Sequence, residues 1–566
     1  MRVAHPSQGV AVSRREAWLS AASVFAVALA VRIVAAAAIS FPVPEDTAYY
    51  AGVARNLVEG RGLISDALWS YQTQPLVVPR AAFEIWLPLP TLLEAIPVAV
   101  AGAANWFRAA QVVSVMASSI VAVLAWRLGA DVAAEMHLPV GRARTMAVGS
   151  GLVAAVLGPL VLYGALPDST ALFAALSLAA CLLMARIAAR EVVLGAGAAT
   201  GTATATFDRR LVVLGLLLGF AALTRSDAIW LGLAWATVAW FWTPGSRRRR
   251  AGLTAAPAVV AVLVLAPWAV RDWLVFGTPL SGQTIANALF LHSTDVFAYR
   301  DQPSLANYLA AGPAVLAGTH LVGIAHDLFN VLLIPSFPVG LLGLAALPWM
   351  GRRPALRPLA LAAVFTFLAA SLVFPVATQS GTYLHAAGPA FVLLTVASVA
   401  VLDQSIVQIG RVRHWTRPVA WLGPAFAIAA IGPLCVVTVA GIASQADDVR
   451  SRYEALPAAM ARAGVPLDGA SPVITDNPIW LAEAAQVPSL ALPEESPDAV
   501  LDLARHFGAK LLIVRSGADL EWPGVLDGGG AGSTCFSEVH LADYPGAGGA
   551  LSSNLSQLHV YRIVCP

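Results

Sequence analysis

The chain has 566 residues, 58% of them hydrophobic and only 12% charged, about half the charged fraction of an average soluble domain. Apolar runs long enough to cross a bilayer recur through the first 443 positions, which excludes a soluble globular protein and predicts a polytopic helical membrane protein. The net charge of +2 says nothing of nucleic acid, because the basic residues are scattered over short loops, and no nucleic-acid partner is expected.

Met1–Arg15 is short and basic, and the apolar run Ala17–Ser40 behind it ends in Pro42 and acidic residues. It lacks a small-residue cleavage site and reads as a retained first span. Arg2, Arg14 and Arg15 place the N-terminus inside, so Glu45 and Asp46 emerge outside in a first external loop of residues 41–108. Pro44, a cap at Asp46 or Thr47, and stops at Gly60 and Gly62 predict a short amphipathic helix over Ala48–Glu59 along the interface. Asp46 has a bland reading as a helix cap, and a chemical one as a carboxylate beside a lipid headgroup.

Leu87–Ala103 is short and interrupted by Pro88, Pro90, Glu94 and Pro97. If it crossed, Arg127, Arg142 and Arg144 would fall outside; it is therefore read as interfacial or re-entrant, with Trp106–Trp126 as the next crossing. The chain is back outside at Tyr163–Asp168. Ser169–Ala188 goes in, Leu211–Leu223 out, and Ala228–Trp242 in, toward the run Arg247–Arg250. Gly252–Leu274 exits, Val275–Ala325 stays outside as a long loop, and Asp327–Trp349 returns toward Arg352, Arg353 and Arg357. Pro358–Phe374, Ala386–Leu402 (before Arg411, Arg413 and Arg417) and Pro418–Ala443 complete about eleven spans, N-terminus in and C-terminus out. Gly195–Thr206 reads as an inner linker.

From Ser444 the composition changes. Val473–Thr475, Ser489–Leu492 and Lys510–Val514 read as strands, with helices Ile479–Ala485 and Pro497–Phe507 between them, a small α/β layer structure outside the membrane. Leu526–Gly532 is a glycine-rich turn that opens no helix and is no phosphate cradle. Cys181 and Cys435 lie in apolar spans; Cys535 and Cys565 lie in the polar tail and could pair in an oxidising compartment. The expected division is a membrane domain over 1–443 and an extracytoplasmic domain over 444–566.

This topology gathers Glu45 and Asp46, Arg80 and Glu84, Asp168, Arg225 and Asp227, Arg271 and Asp272, and Tyr383 with His385 on one face of the membrane. Ionisable groups near a membrane interior are costly and mark functional candidates, although an arginine at a helix end also snorkels to water.

Several of these stretches resemble the membrane-embedded glycosyltransferases of GT-C fold, the superfamily of the protein O-mannosyltransferases and aminoarabinose transferases. Asp46-x-x-Tyr49-Tyr50 is similar to their first external loop, and Tyr71–Pro90, with Arg80, Glu84 and Trp86-Leu87-Pro88-Leu89-Pro90, to its end. Leu166-Pro167-Asp168 resembles their second acidic motif. Leu223-Thr224-Arg225-Ser226-Asp227 resembles a Leu-Thr-Arg-Pro-Glu stretch, with Ser and Asp for Pro and Glu. Pro267-Trp268-x-x-Arg271-Asp272 and Gly381-Thr382-Tyr383-Leu384-His385 resemble two further motifs. The resemblance covers roughly residues 15–440 and leaves the tail unassigned.

It implies an all-α polytopic catalytic domain in the cell's inner or plasma membrane. The implied donor is a polyprenyl-phosphate sugar, and the acceptor a glycan, lipid or protein hydroxyl. By analogy with inverting members, Asp46 is the expected base with Glu45 as its competitor, and Asp168 assists or holds the acceptor or a metal. Arg225 and Arg271 are expected on phosphate, where a guanidinium fork stays charged. Tyr383 and His385 are expected near the donor headgroup, and Tyr50, Arg80 and Glu84 complete the substrate set. A divalent cation, Mg or Mn, could be held by Asp46, Asp168 and His385. The rival readings are a lipid-linked glycan transporter or flippase, with charges at mid-membrane and repeated halves, and a polysaccharide polymerase or ligase. The last would put its chemistry in Val275–Ala325.

Overall fold

The computed structural model describes residues 14–199, 208–279, 286–416, 419–467, 471–516, 521–541 and 555–565. Arg2, most of the Gly195–Thr206 linker, Arg417 and Pro418 lie outside the described residues. Among the described residues, seven helices are long and apolar enough to cross a membrane; the bent pair α5 (Val140–Val156) and α6 (Gly158–Ala165), kinked by 57°, makes an eighth. Helices also occupy the other expected crossings, α8 (Arg209–Ala222), α9 (Ala228–Phe241) and Arg357–Val373, but these are shorter. The chain is a multi-pass membrane protein.

The first span is α1 (Arg14–Ala38), and α2 (Glu45–Val58) follows it. Two expectations for α2 are corrected. It begins at Glu45, not Ala48, and its N-cap is Pro44 with no side-chain cap, so neither Asp46 nor Thr47 caps it. Nor does it lie along an interface. Every residue from Thr47 to Asn56 is buried, because protein, not lipid, covers both of its faces. α3 (Leu89–Ala101) has 13 residues, about 20 Å of helix at 1.5 Å per residue. That is short of the roughly 30 Å hydrocarbon core. α8 and α9, at 14 residues each, are nearly as short, so length alone does not set α3 apart from the crossings. α4 (Trp106–Glu135), α7 (Ser169–Ala199) and α10 (Arg247–Phe276) are full-length spans.

The segment expected as an outer loop over Val275–Ala325 is not all loop. Gly312–Ala325 is an apolar helix that runs on through a π-helical stretch, His326–Leu333, so that Gly312–Ser336 is itself long enough to cross. The expected span Asp327–Trp349 is correspondingly broken. Pro335 and Pro338 lack the N–H that would continue the ladder, and a separate helix, Val339–Met350, follows.

The last span continues without a break from Leu422 to Arg462, 41 residues, so residue 443 is no boundary in the backbone. The tail supplies five strands of a six-stranded sheet. β4 (Val473–Thr475), β5 (Ser489–Ala491) and β6 (Leu511–Arg515), with helices Pro478–Ala485 and Pro497–Phe507, lie where the sequence predicts them. β7 (Phe536–Val539) and β8 (Leu558–Ile563) were not foreseen. Neither was the edge strand β2 (Ala67–Leu68), which the first external loop contributes in parallel to β5. That loop also holds a two-residue antiparallel pair, β1 (Ile64–Ser65) with β3 (Arg80–Ala81). Cys535 and Cys565 form a disulfide, while Cys181 and Cys435 are buried free thiols.

Candidate active site

Four segments converge between the spans and the sheet of the tail. Pro44 starts α2 so that Asp46 falls in its first turn. Pro167 turns the chain out of α6, and Asp168 then opens α7, its Oδ1 accepting the Thr170 N–H at 2.7 Å. The capping role considered for Asp46 therefore belongs to Asp168, which satisfies a free helix N–H with one oxygen and keeps the other for the site. The turn between α8 and α9 carries Arg225 and Asp227. His385 rides on the single-turn helix Thr382–Ala386, entered through Gly381 at φ 100°, a left-handed conformation suited to glycine.

His385 is the centre of this group. Its Nε2 faces Asp46 Oδ2 at 3.5 Å, and its Nδ1 faces Asp168 Oδ2 at 3.6 Å. The Thr170 hydroxyl lies 2.7 Å from Nδ1. Burial, with Arg225 nearby, holds the imidazole down to about 3, so it is neutral at physiological pH. The Thr170 hydroxyl holds the Nδ1 edge of the ring, and the Nε2 edge is turned to Asp46. Burial raises Asp46 above the usual aspartate range, against the opposing effects of the Trp86 indole and Arg225. It also raises Asp168, to about 7, against the Thr170 hydrogen bonds.

Arg225 is fixed from three sides: Nε donates to Asp227 Oδ2 (2.9 Å), Nη1 to Ser169 Oγ (3.2 Å) and Nη2 to the Thr382 carbonyl (3.0 Å). Asp46, Tyr50, Trp86, Arg225, Asp227 and His385 together line a cavity of about 290 Å³. Phe290 and Phe297, from the long loop before Gly312, also line it. A cavity with a carboxylate of raised pKa, a neutral imidazole and an anchored guanidinium can accept a proton at one wall and bind an anion at another.

The remaining expected residues lie elsewhere. Glu45 is turned away from the cavity and accepts the backbone N–H groups of Ile479 (3.0 Å) and Trp480 (3.3 Å) at the start of a helix in the tail. Arg80 forms a buried ion pair with Glu84 and donates to the carbonyls of Thr73 (2.7 Å) and Pro75 (2.6 Å). That pair ties the loop to itself. Arg271 pairs with Asp272 at 2.8 Å and sits over the Trp268 and Phe276 rings, at 4.7 and 5.1 Å, outside the cavity wall. Tyr383 is two residues from His385 and so on the opposite helix face; it packs edge-on to Phe367 and lines a different, apolar groove.

The structure brings Asp46, Asp168 and His385 together but does not converge them on one point. The two carboxylates face opposite ring nitrogens, and no three His, Cys, Asp or Glu side chains among the described residues are grouped to hold a metal ion. Sequence reasoning missed Thr170, Ser169 and Trp69. It also missed Glu94, which is wholly buried on α3 with no hydrogen-bond partner for either oxygen among the described residues. Thr170 was findable from the Asp-x-Thr spacing at a helix start.

The helix order, the buried loop after the first span and the α/β layer of the tail are those of the GT-C fold. Among solved structures, the chain is similar to ArnT from Cupriavidus metallidurans bound to undecaprenyl phosphate, with TM-score 0.50, 14% identity, and 97% of this chain and 98% of that one covered. It is also similar to the oligosaccharyltransferase AglB from Archaeoglobus fulgidus in complex with an inhibitory peptide and a dolichol-phosphate. There the TM-score is 0.51 at 12% identity, over 89% of this chain and 70% of that one. The same organism's oligosaccharyltransferase tethered with an acceptor peptide gives 0.52 at 12% identity, over 89% and 69%. At such identities the likeness carries the fold. No protein-family model matches the sequence, and no curated protein matches it.

Proposed function

We propose that the chain is a glycosyltransferase that moves a sugar from a polyprenyl-phosphate donor to an acceptor hydroxyl at the outer face of the membrane. The observation that carries this reading is the single cavity in which Asp46, paired with neutral His385, faces an Arg225 fixed by Asp227, Ser169 and Thr382. The acceptor oxygen attacks the sugar's anomeric carbon, and its proton passes to Asp46. The bond from that carbon to the donor phosphate breaks, and the phosphate leaves with the electron pair. Arg225 stabilises the charge that grows on the leaving oxygens. Asp168 and Thr170 orient His385, which keeps Asp46 in place. No step is routed through a metal ion.

The fold supports the transferase class, and two of the similar solved proteins are bound to dolichol-phosphate and to undecaprenyl phosphate. The polymerase reading has less support, because the residues that the loop before Gly312 lends to the cavity wall include no carboxylate. The test is to incubate the purified full chain with a panel of radiolabelled undecaprenyl-phosphate hexoses and pentoses, with water or a simple glycan as acceptor. Release of label from the lipid by wild type, lost in Asp46→Asn, is the expected result. An inert protein across the whole panel overturns the reading.

A further inference from the structure

On the far side of the Tyr383 helix from the candidate site lies a second cavity, about 720 Å³ in volume and almost wholly apolar. Leu344, Leu347, Leu361 and Phe367 form its walls, and Tyr383 lies at one end. The other end is basic. Arg352 and Arg357 line it beside Trp242, with Arg357 stacked on that indole at 4.8 Å and donating to the Arg352 carbonyl at 2.9 Å. These arginines sit at the membrane face opposite Asp46, level with Glu135 at the end of α4, whose carboxylate accepts the Ala355 N–H at 2.8 Å. By the distribution of basic residues that face is the cytoplasmic one.

The dimensions identify what fits. Arg357 and Phe367 lie ten residues apart on one helix, about 15 Å at 1.5 Å per residue. That is half the roughly 30 Å hydrocarbon core, the depth one leaflet's acyl chain reaches. A cationic mouth at the interface, a flanking tryptophan and an apolar groove one leaflet deep match an anionic amphiphile in shape and in charge.

We propose that this groove is a specific site for an anionic glycerophospholipid of the cytoplasmic leaflet. Its headgroup phosphate lies between Arg352 and Arg357, and one acyl chain lies along the groove toward Tyr383. The lipid packs against the element that carries His385, and so links the inner leaflet to the outer site.

The test is native mass spectrometry of the full chain released from nanodiscs of equimolar phosphatidylglycerol and phosphatidylcholine, with undecaprenyl phosphate added in one arm. Wild type should retain phosphatidylglycerol in preference. The Arg352→Gln/Arg357→Gln variant should lose that preference by on the order of five-fold per arginine, the scale of one cation at an anionic surface. Leu361→Trp fills the groove, keeps both arginines and should lower retention of phosphatidylglycerol. It carries the test if the double variant does not fold. Equal retention of both phospholipids by wild type means annular lipid only and overturns the proposal. So does an unchanged preference in the variants, or displacement of phosphatidylglycerol by undecaprenyl phosphate.

Discussion

Asp46→Asn separates the chemical reading of the first loop from a structural one. Asp46 caps nothing, and an asparagine Oδ1 can still accept from the Trp86 indole that reaches Asp46. Arg225 keeps Asp227, Ser169 and Thr382 as partners. The substitution also removes a charge that burial disfavours, so melting behaviour should stay close to wild type. Loss of a general base, by contrast, costs on the order of 10² to 10⁴ in rate, or about 3–5 kcal/mol of transition-state stabilisation. Release of radiolabel from the undecaprenyl-phosphate donor, measured beside a melting curve in the same detergent, reads both. Glu45→Gln is the control: it acts on the contact with the Ile479 and Trp480 N–H groups and should affect melting more than turnover. Near-normal turnover in Asp46→Asn together with a dead Glu45→Gln would show that the wrong carboxylate was chosen. Near-normal turnover in both would sink the glycosyltransferase reading of the loop.

Because burial raises Asp46 and the base must be ionised, kcat/KM should fall as pH drops, with the acid limb above the ordinary aspartate value of about 4; a profile still flat at about pH 4 would contradict the assignment. The sign is opposite for stability, since Asp168 is raised to about 7. The folded state binds the extra proton, so this group's contribution declines as pH rises from about 4 toward 7. Arg271→Lys should leave turnover within about three-fold of wild type, because Arg271 is held by Asp272 and two rings away from the cavity wall; a loss approaching the scale of a catalytic group would return it to the site. Replacing Cys535 and Cys565 by serine opens a loop of 30 residues and should lower unfolding stability by about 3–4 kcal/mol, read by denaturant melts of oxidised protein. A cysteine at Gly141, an exposed position with open space around it, should resist an impermeant thiol reagent in intact cells. Ready labelling would mean that the turn between α4 and α5 faces outward, against the orientation read from Arg127, Arg142 and Arg144.

Much of the helical order was legible because long apolar runs and arginine placement are local signals. They separated α3 from α4 through Arg127, Arg142 and Arg144. Polar residues at span ends likewise pointed to Asp46, Asp168, Arg225 and His385, which the fold does bring together. The failures share another cause. Glu45 and Asp46 are neighbours with the same chemistry, yet one meets a helix of the tail more than four hundred positions away and the other meets the cavity. No local pattern distinguishes them. Arg80 and Arg271 look like phosphate ligands in isolation, and only the folded loop shows Glu84 and Asp272 already beside them. Arg32 passed unnoticed inside the first span, where it is buried and donates to Ser118 at 2.6 Å and to the Ala155 carbonyl at 2.9 Å. Those contacts lie beside the break between α5 and α6 and are invisible in a hydropathy reading.

The pairing of β2 with β5, and the contact of Glu45 with a helix 434 residues further on, set the order in which this protein can mature. A chain inserted span by span exposes its acidic loop early, while the strand and helix that complete that loop are still untranslated. Contacts of such long range carry a large loop-closure cost and form late. The membrane helices can assemble during synthesis, but the geometry around Asp46 waits for the final quarter of the chain to arrive and dock. A ribosome stalled short of residue 470 would leave behind a well-inserted protein with no competent centre, so the tail acts as a checkpoint on completeness.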